Sequence, residues 1–209
     1  MQPMDFVRLL DAAFEIVMPS ASRSVREITI AQAAFESAWA WPKYSSPPWP
    51  DERPTAATAY NFWNMTRTPS DNRPFILGWD KHADGSKYLN KFRAYSSVED
   101  GLQDYFVFLS QGRYARSFKM LMDGDFGFFV QLGKDGWYES TSTSYDKGCR
   151  ALLVKVIECY RIMDVEKGNA HPLDLMSTEP TEPRNEEVSQ EAGPFSPLPT
   201  CDPSKAGSE

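Results

Sequence analysis

Ile28-Thr29-Ile30-Ala31-Gln32-Ala33-Ala34-Phe35-Glu36-Ser37-Ala38-Trp39 is the stretch on which the reading of this chain turns. It predicts a helix over Glu27–Ala40, closed by Pro42. Glu36 is its only acid after Glu27, with Gln32 one turn before it, Ala40 one turn after it and Trp39 three residues on. A carboxyl held among alanines and an indole is desolvated, and desolvation raises its pKa, as a general acid requires. The same pattern also reads as an ordinary solvated carboxylate, the commoner fate of a helix Glu.

Outward from this helix the chain is mostly helical. Phe6, Leu9, Leu10, Ala13, Phe14 and Val17 recur at helical period over 4–18, and Pro19 ends that segment. Residues 42–58 hold five Pro without periodicity and read as loop. Pro74–His82 and Lys87–Tyr95 read as strands joined by the turn Ala83-Asp84-Gly85. Ser96 with Glu99 forms an expected capping box for a helix to about Ser110. Further helix is expected over 114–122, 125–133 and from Ser142 to about Val165. Helices with one inserted hairpin make an α+β domain.

The chain has 209 residues and a formal net charge of -7. The charge is concentrated: 168–209 holds eight acidic residues against Arg184 and Lys205, seven Pro and a single aromatic, Phe195. Such a segment buries too little apolar surface to offset its ordering entropy, so two parts are expected: a domain over 1–167 and a disordered acidic tail over 168–209. The domain alone is close to neutral and lacks the basic stripe of a nucleic-acid binder. No apolar run is long enough to span a membrane. The N-terminus lacks a basic n-region and a cleavage site, so synthesis in the cytoplasm without a signal peptide is expected.

The side-chain inventory narrows the chemistry. With only His82 and His171, and three Cys, the chain holds no disulfide framework and no zinc-ligand cluster, and no cofactor is expected. Carboxylates, hydroxyls and aromatics are left. Five of the six Trp (Trp39, Trp41, Trp49, Trp63 and Trp79) fall in one region together with Tyr44, Tyr60 and Phe62. Flat faces of this kind either pack a core or stack on sugar rings. Asp84 is accounted for by turn chemistry. Asp80 on the first strand is either a solvated edge charge or a second carboxylate facing Glu36, the pairing that glycoside hydrolysis uses. Gly136-Trp137-Tyr138-Glu139-Ser140-Thr141-Ser142-Thr143-Ser144-Tyr145 reads as a loop leading into a helix, with Tyr138 and Tyr145 able to present phenols.

The order of these segments resembles a known family. Ile30-Ala31-Gln32-Ala33-Ala34-Phe35-Glu36-Ser37-Ala38-Trp39 resembles the signature helix of the bacterial glucosaminidases of glycoside hydrolase family 73, which include flagellar rod peptidoglycan hydrolases, autolysins and phage lysins. Tyr60-Asn61-Phe62-Trp63-Asn64 is similar to the family's Asn-x-Phe-Gly segment, with Trp63 and Asn64 in place of Phe and Gly. Phe92-Arg93-Ala94-Tyr95-Ser96-Ser97, Asp104-Tyr105, Arg113-Tyr114 and Gly136-Trp137-Tyr138 through Tyr145 follow in the family's order, so the resemblance spans about 5–163.

The resemblance implies a lysozyme-like fold and hydrolysis of the glycan strand of peptidoglycan after N-acetylglucosamine. It implies Glu36 as general acid, Asp80 as second acid with Asp84 as fallback, and Tyr138 as active-site tyrosine. Gln32, Trp39, Asn61, Trp63, Trp79, Trp137 and Tyr145 are the expected substrate-binding residues. The alternatives are a muramidase or lytic transglycosylase with the same groove, or a non-catalytic glycan-binding, wall-anchoring module. A monomer acting at the cell wall is expected, in phage lysis, flagellar assembly or effector delivery. The tail is expected to keep the protein soluble, to bind an unidentified partner, or to do nothing measurable.

Overall fold

The protein is described from a computed structural model over residues 1–40, 56–81, 86–138 and 142–169. Trp41, Tyr44, Trp49, His82, Asp84 and the expected tail from 170 onward lie outside these residues.

Helix α1 (Pro3–Val17) begins with a proline in its first turn, where no amide hydrogen is needed, and buries Phe6, Val7, Leu10, Ala13 and Phe14. Helix α2 (Arg23–Ser37) starts four residues before the expected Glu27, because the Ser22 side chain accepts from the Val25 amide and caps it. It also stops short of Ala40. Ala38, Trp39 and Ala40 turn left-handed with φ of 48°, 63° and 47°, so the helix has ended before Pro42 is reached. The Ser37 hydroxyl holds that end, donating to the Ala33 carbonyl at 2.6 Å and accepting from the Ala40 amide at 3.0 Å.

The middle of α2 is enclosed on every side: Ile28, Thr29, Ile30, Ala31, Gln32, Ala33 and Ala34 are all fully buried. Helix α6 (Ser142–Glu166) packs along it at close range. A Cβ on Gly148 of α6 would lie 2.2 Å from the Phe35 ring, so that position needs glycine. Helices α3 (Val98–Leu109), α4 (Ala115–Met122) and α5 (Phe128–Lys134) complete the shell and contribute Leu102, Leu109, Leu121, Phe128, Phe129 and Leu132 to the core. The α3 cap is Ser97, whose hydroxyl accepts from the Asp100 amide at 3.2 Å, and not the expected Ser96. One buried polar knot joins α1, α2 and α6: Asp11 accepts from Arg26 at 3.0 Å and from the Tyr160 hydroxyl at 2.7 Å.

Strands β1 (Phe75–Lys81) and β2 (Lys87–Arg93) form an antiparallel pair with Gly78 opposite Asn90, Trp79 opposite Leu89 and Asp80 opposite Tyr88. Segment 65–67 runs beside β2, with the Arg67 amide donating to the Lys91 carbonyl and the Arg93 amide to the Met65 carbonyl. Asn61 fixes this turn from inside. Its side chain donates to the Met65 and Arg93 carbonyls at 2.8 and 2.9 Å and accepts from the Met65 amide. Arg93 and Tyr95 both donate to Asp104, tying the hairpin to α3. The result is the expected α+β arrangement, a helical domain with an inserted hairpin. No helix among the described residues is long and apolar enough to cross a membrane.

Candidate active site

Glu36 lies in the last turn of α2, where the enclosed middle of the helix gives way to its end, and is only half-buried as a residue. Its carboxyl group is nevertheless held on both oxygens. The Tyr145 hydroxyl donates to Oε1 at 2.6 Å and the Trp137 indole Nε1 donates to the same atom at 2.8 Å. The Asn64 amide donates to Oε2 at 3.2 Å and to the backbone carbonyl of Glu36 at 2.7 Å. Desolvation raises the Glu36 pKa above the ordinary carboxylate range; the three donors oppose the rise and the charge of Asp80 adds to it.

Behind Oε1 runs a one-way chain of hydrogen bonds. The Tyr105 hydroxyl donates to Gln32 Oε1 at 2.5 Å, and Gln32 Nε2 donates to the Tyr145 oxygen at 3.1 Å. An amide nitrogen only donates, so the Tyr145 proton is directed to Glu36. Oε1 of Glu36 therefore accepts two donors, one of them an indole that cannot accept. The proton of the neutral acid belongs on Oε2.

The aromatic neighbours are braced in turn. Trp137 meets Tyr105, Phe108 and Tyr114 edge to face at centroid distances of 6.1, 5.9 and 5.7 Å. The preceding Gly136, at φ 80°, has its carbonyl held by Arg113 and Tyr114. Tyr145 is sandwiched between Phe35, edge-on at 4.8 Å, and Tyr138, stacked at 3.9 Å and 11°.

Several sequence expectations change here. The phenol on Glu36 is that of Tyr145 and not the expected Tyr138, whose hydroxyl lies against Gly133 where a Cβ would come within 2.1 Å. The indole on Glu36 is that of Trp137; Trp39 packs edge-on against Phe6 at 5.7 Å. Gln32, Asn61 and Trp63 are fully buried, so they support the site and are not surfaces for a sugar. Trp63 stacks on Tyr105 at 4.6 Å and donates to the Thr29 carbonyl.

Asp80 accepts from Tyr88 at 3.0 Å and from Asn90 at 2.9 Å, all three on one face of the hairpin. Trp79 occupies the alternate position, on the opposite face with exposed Leu77 and Leu89. Asn64 and Tyr105 were not among the expected site residues. Both lie in segments that resemble the family, but nothing local marks them for the site, because the atoms they touch are distant along the chain.

The described fold has counterparts among solved structures. The glycoside hydrolase domain of FlgJ from Salmonella typhimurium aligns with a TM-score of 0.55 and 22% identity, over 83% of this chain and 99% of that one. A peptidoglycan hydrolase from Sphingomonas sp. A1 aligns with a TM-score of 0.53 and 18% identity, over 86% and 99% of the two chains. The catalytic domain of the autolysin Auto from Listeria monocytogenes gives 0.50 and 16%, over 74% and 84%. No curated protein sequence matches the chain. The family model described as mannosyl-glycoprotein endo-beta-N-acetylglucosaminidase matches residues 20–161, which contain α2, the hairpin and every side chain that reaches the Glu36 carboxyl. The chain belongs to this glucosaminidase family of glycoside hydrolases.

Proposed function

We propose that this protein hydrolyses the glycan strand of peptidoglycan as an endo-β-N-acetylglucosaminidase, with Glu36 as the general acid. The observation that carries this reading is the desolvated Glu36 carboxyl with its two unlike oxygens, Oε1 accepting two short bonds from Tyr145 and Trp137 and Oε2 accepting one longer bond from Asn64 and able to carry the proton. A raised pKa keeps the acid protonated at pH values where an ordinary carboxylate has ionised. The proton passes from Oε2 to the glycosidic oxygen as the bond to the anomeric carbon breaks, and the leaving sugar departs as an alcohol. Three groups are available to meet the positive charge that develops at that carbon: water, the Asp80 carboxylate, or the substrate's own acetamido oxygen. Asp80 is held in place by hydrogen bonds from Tyr88 and Asn90.

Family membership and the alignments with peptidoglycan hydrolases support this substrate class and action at the cell wall. The test is digestion of purified sacculi followed by mass spectrometry of the new reducing ends. N-acetylglucosamine ends are expected. Muramic ends would make the protein a muramidase, anhydro ends a lytic transglycosylase, and no release would leave a glycan-binding module. Glu36→Gln is expected to abolish release while leaving the fold intact.

A further inference from the structure

The Asn64 amide reaches the proton-bearing side of Glu36 from the turn beside the hairpin. Its nitrogen carries two hydrogens and has two acceptors: the Glu36 backbone carbonyl at 2.7 Å and Glu36 Oε2 at 3.2 Å. One donor group thus spans the main chain and the side chain of the same residue, which restricts how the carboxyl can rotate. The longer of the two bonds is the one to Oε2, so the hold on that oxygen is looser than the hold on Oε1.

The placement of Asn64 is built in. Its φ of 53° is in the left-handed region, which Asn tolerates better than most side chains. Its backbone N–H donates to the Asn61 backbone carbonyl, and the Asn61 side chain in turn is locked to Met65 and Arg93. The hairpin lobe therefore determines where the amide sits, and the amide determines how Oε2 sits.

We infer that Asn64 is a positioning residue for the acid: it clamps the Glu36 carboxyl to its own backbone carbonyl and governs how readily Oε2 releases its proton. The inference rests on the reading of Glu36 as general acid. A donor to the ionised form lowers a carboxyl pKa, and Asn64 is one of three such donors on Glu36.

Asn64→Gly removes the amide without straining the backbone, since glycine adopts this φ freely. The Glu36 pKa is read directly by carbon-13 NMR titration of its carboxyl in the full chain. Asn64→Gly is expected to raise it by roughly half a unit to one unit, and the alkaline limb of sacculus hydrolysis is expected to follow. Asn64→Asp, which also tolerates this conformation and places a like charge beside Oε2, is expected to raise it further and serves if the glycine variant folds poorly. A Glu36 pKa unmoved in both variants, while Tyr145→Phe moves it, overturns the inference. If the pKa moves but the alkaline limb stays, Asn64 acts on Glu36 as inferred, and the reading of Glu36 as the acid is what fails.

Discussion

Tyr145 and Glu36, 109 residues apart in sequence, meet at 2.6 Å through a hydroxyl whose proton is directed at the carboxylate. That direction is imposed two steps away, by a buried tyrosine acting through a buried glutamine. The acid of this site is thus oriented from the core outward.

Tyr145→Phe keeps the ring between Tyr138 and Phe35 and deletes only the donor to Glu36. Removing a stabiliser of the carboxylate raises the Glu36 pKa, so the alkaline limb of the rate profile shifts to higher pH. The turnover rate at the optimum is expected to fall by about tenfold, the equivalent of roughly 1.4 kcal/mol of lost orientation. A pH profile on sacculi reads both effects, and an unshifted limb would mean that the bond is absent in solution.

Glu36 also couples stability to pH. Its folded pKa is raised, so the native state binds its proton more tightly than the unfolded chain does. Stability from this group is therefore complete below the unfolded carboxyl pKa and declines as pH rises toward the folded value. Glu36→Gln removes that decline. At neutral pH the variant is expected to melt at a higher temperature than the parent; thermal melts across the acid range would show the two curves converging at low pH.

Trp63 carries a structural load. It is fully buried on Tyr105, and its indole bonds to the main chain of α2. Trp63→Ala is expected to cost roughly 3 to 5 kcal/mol, measured by urea unfolding. Trp63→Phe should keep much of the stack, and its apparent KM for sacculi should stay near the parent value, since no sugar reaches this position.

The two faces of the hairpin separate Asp80 from Trp79. Trp79 lies on the face away from Asp80, so Trp79→Ala is expected to change sacculus hydrolysis by no more than about twofold. Asp80→Asn removes a charge that raises the Glu36 pKa, so its alkaline limb should move to lower pH, the reverse of Tyr145→Phe. A Trp79→Ala variant with a strongly raised KM would show that substrate binds the outer face of the hairpin after all.

Local sequence carried a good deal of this. The α2 segment from Ile28 to Trp39 marked its helix and its acid because a lone carboxylate among alanines stands out at helical period. The two strands followed from their short runs bounded by turn residues, and the antiparallel pair formed within a residue or two of its expected ends. Helix ends were less legible. Ser22 and Ser97 each sit in a run of hydroxyl residues, and which serine caps depends on which amide it meets in space.

Roles within the site were the least legible. Tyr138 and Tyr145 are the same residue type seven positions apart, yet Tyr145, in the first turns of α6, reaches Glu36, and Tyr138, ahead of that helix, lies against Gly133. Trp39 and Trp137 were both expected at the substrate, and space assigns them differently: the left-handed turn after Ser37 carries Trp39 to Phe6, and Arg113 with Tyr114 holds Gly136 so that Trp137 reaches the Glu36 carboxyl.

The sequence by itself narrowed the chemistry to carboxylates, hydroxyls and aromatics, because it holds few His and Cys, and its ordered resemblance to the glucosaminidases implied glycoside hydrolysis, whereas Glu36 read alone suited a solvated carboxylate as well. It also determined the α+β class, because hydrophobic period and turn chemistry act over a few residues. Tertiary structure decided which hydroxyl, which indole and which amide hold Glu36. Those contacts join residues 28 to 109 positions apart, and hydrogen-bond geometry is satisfied in space, where local pattern has no information.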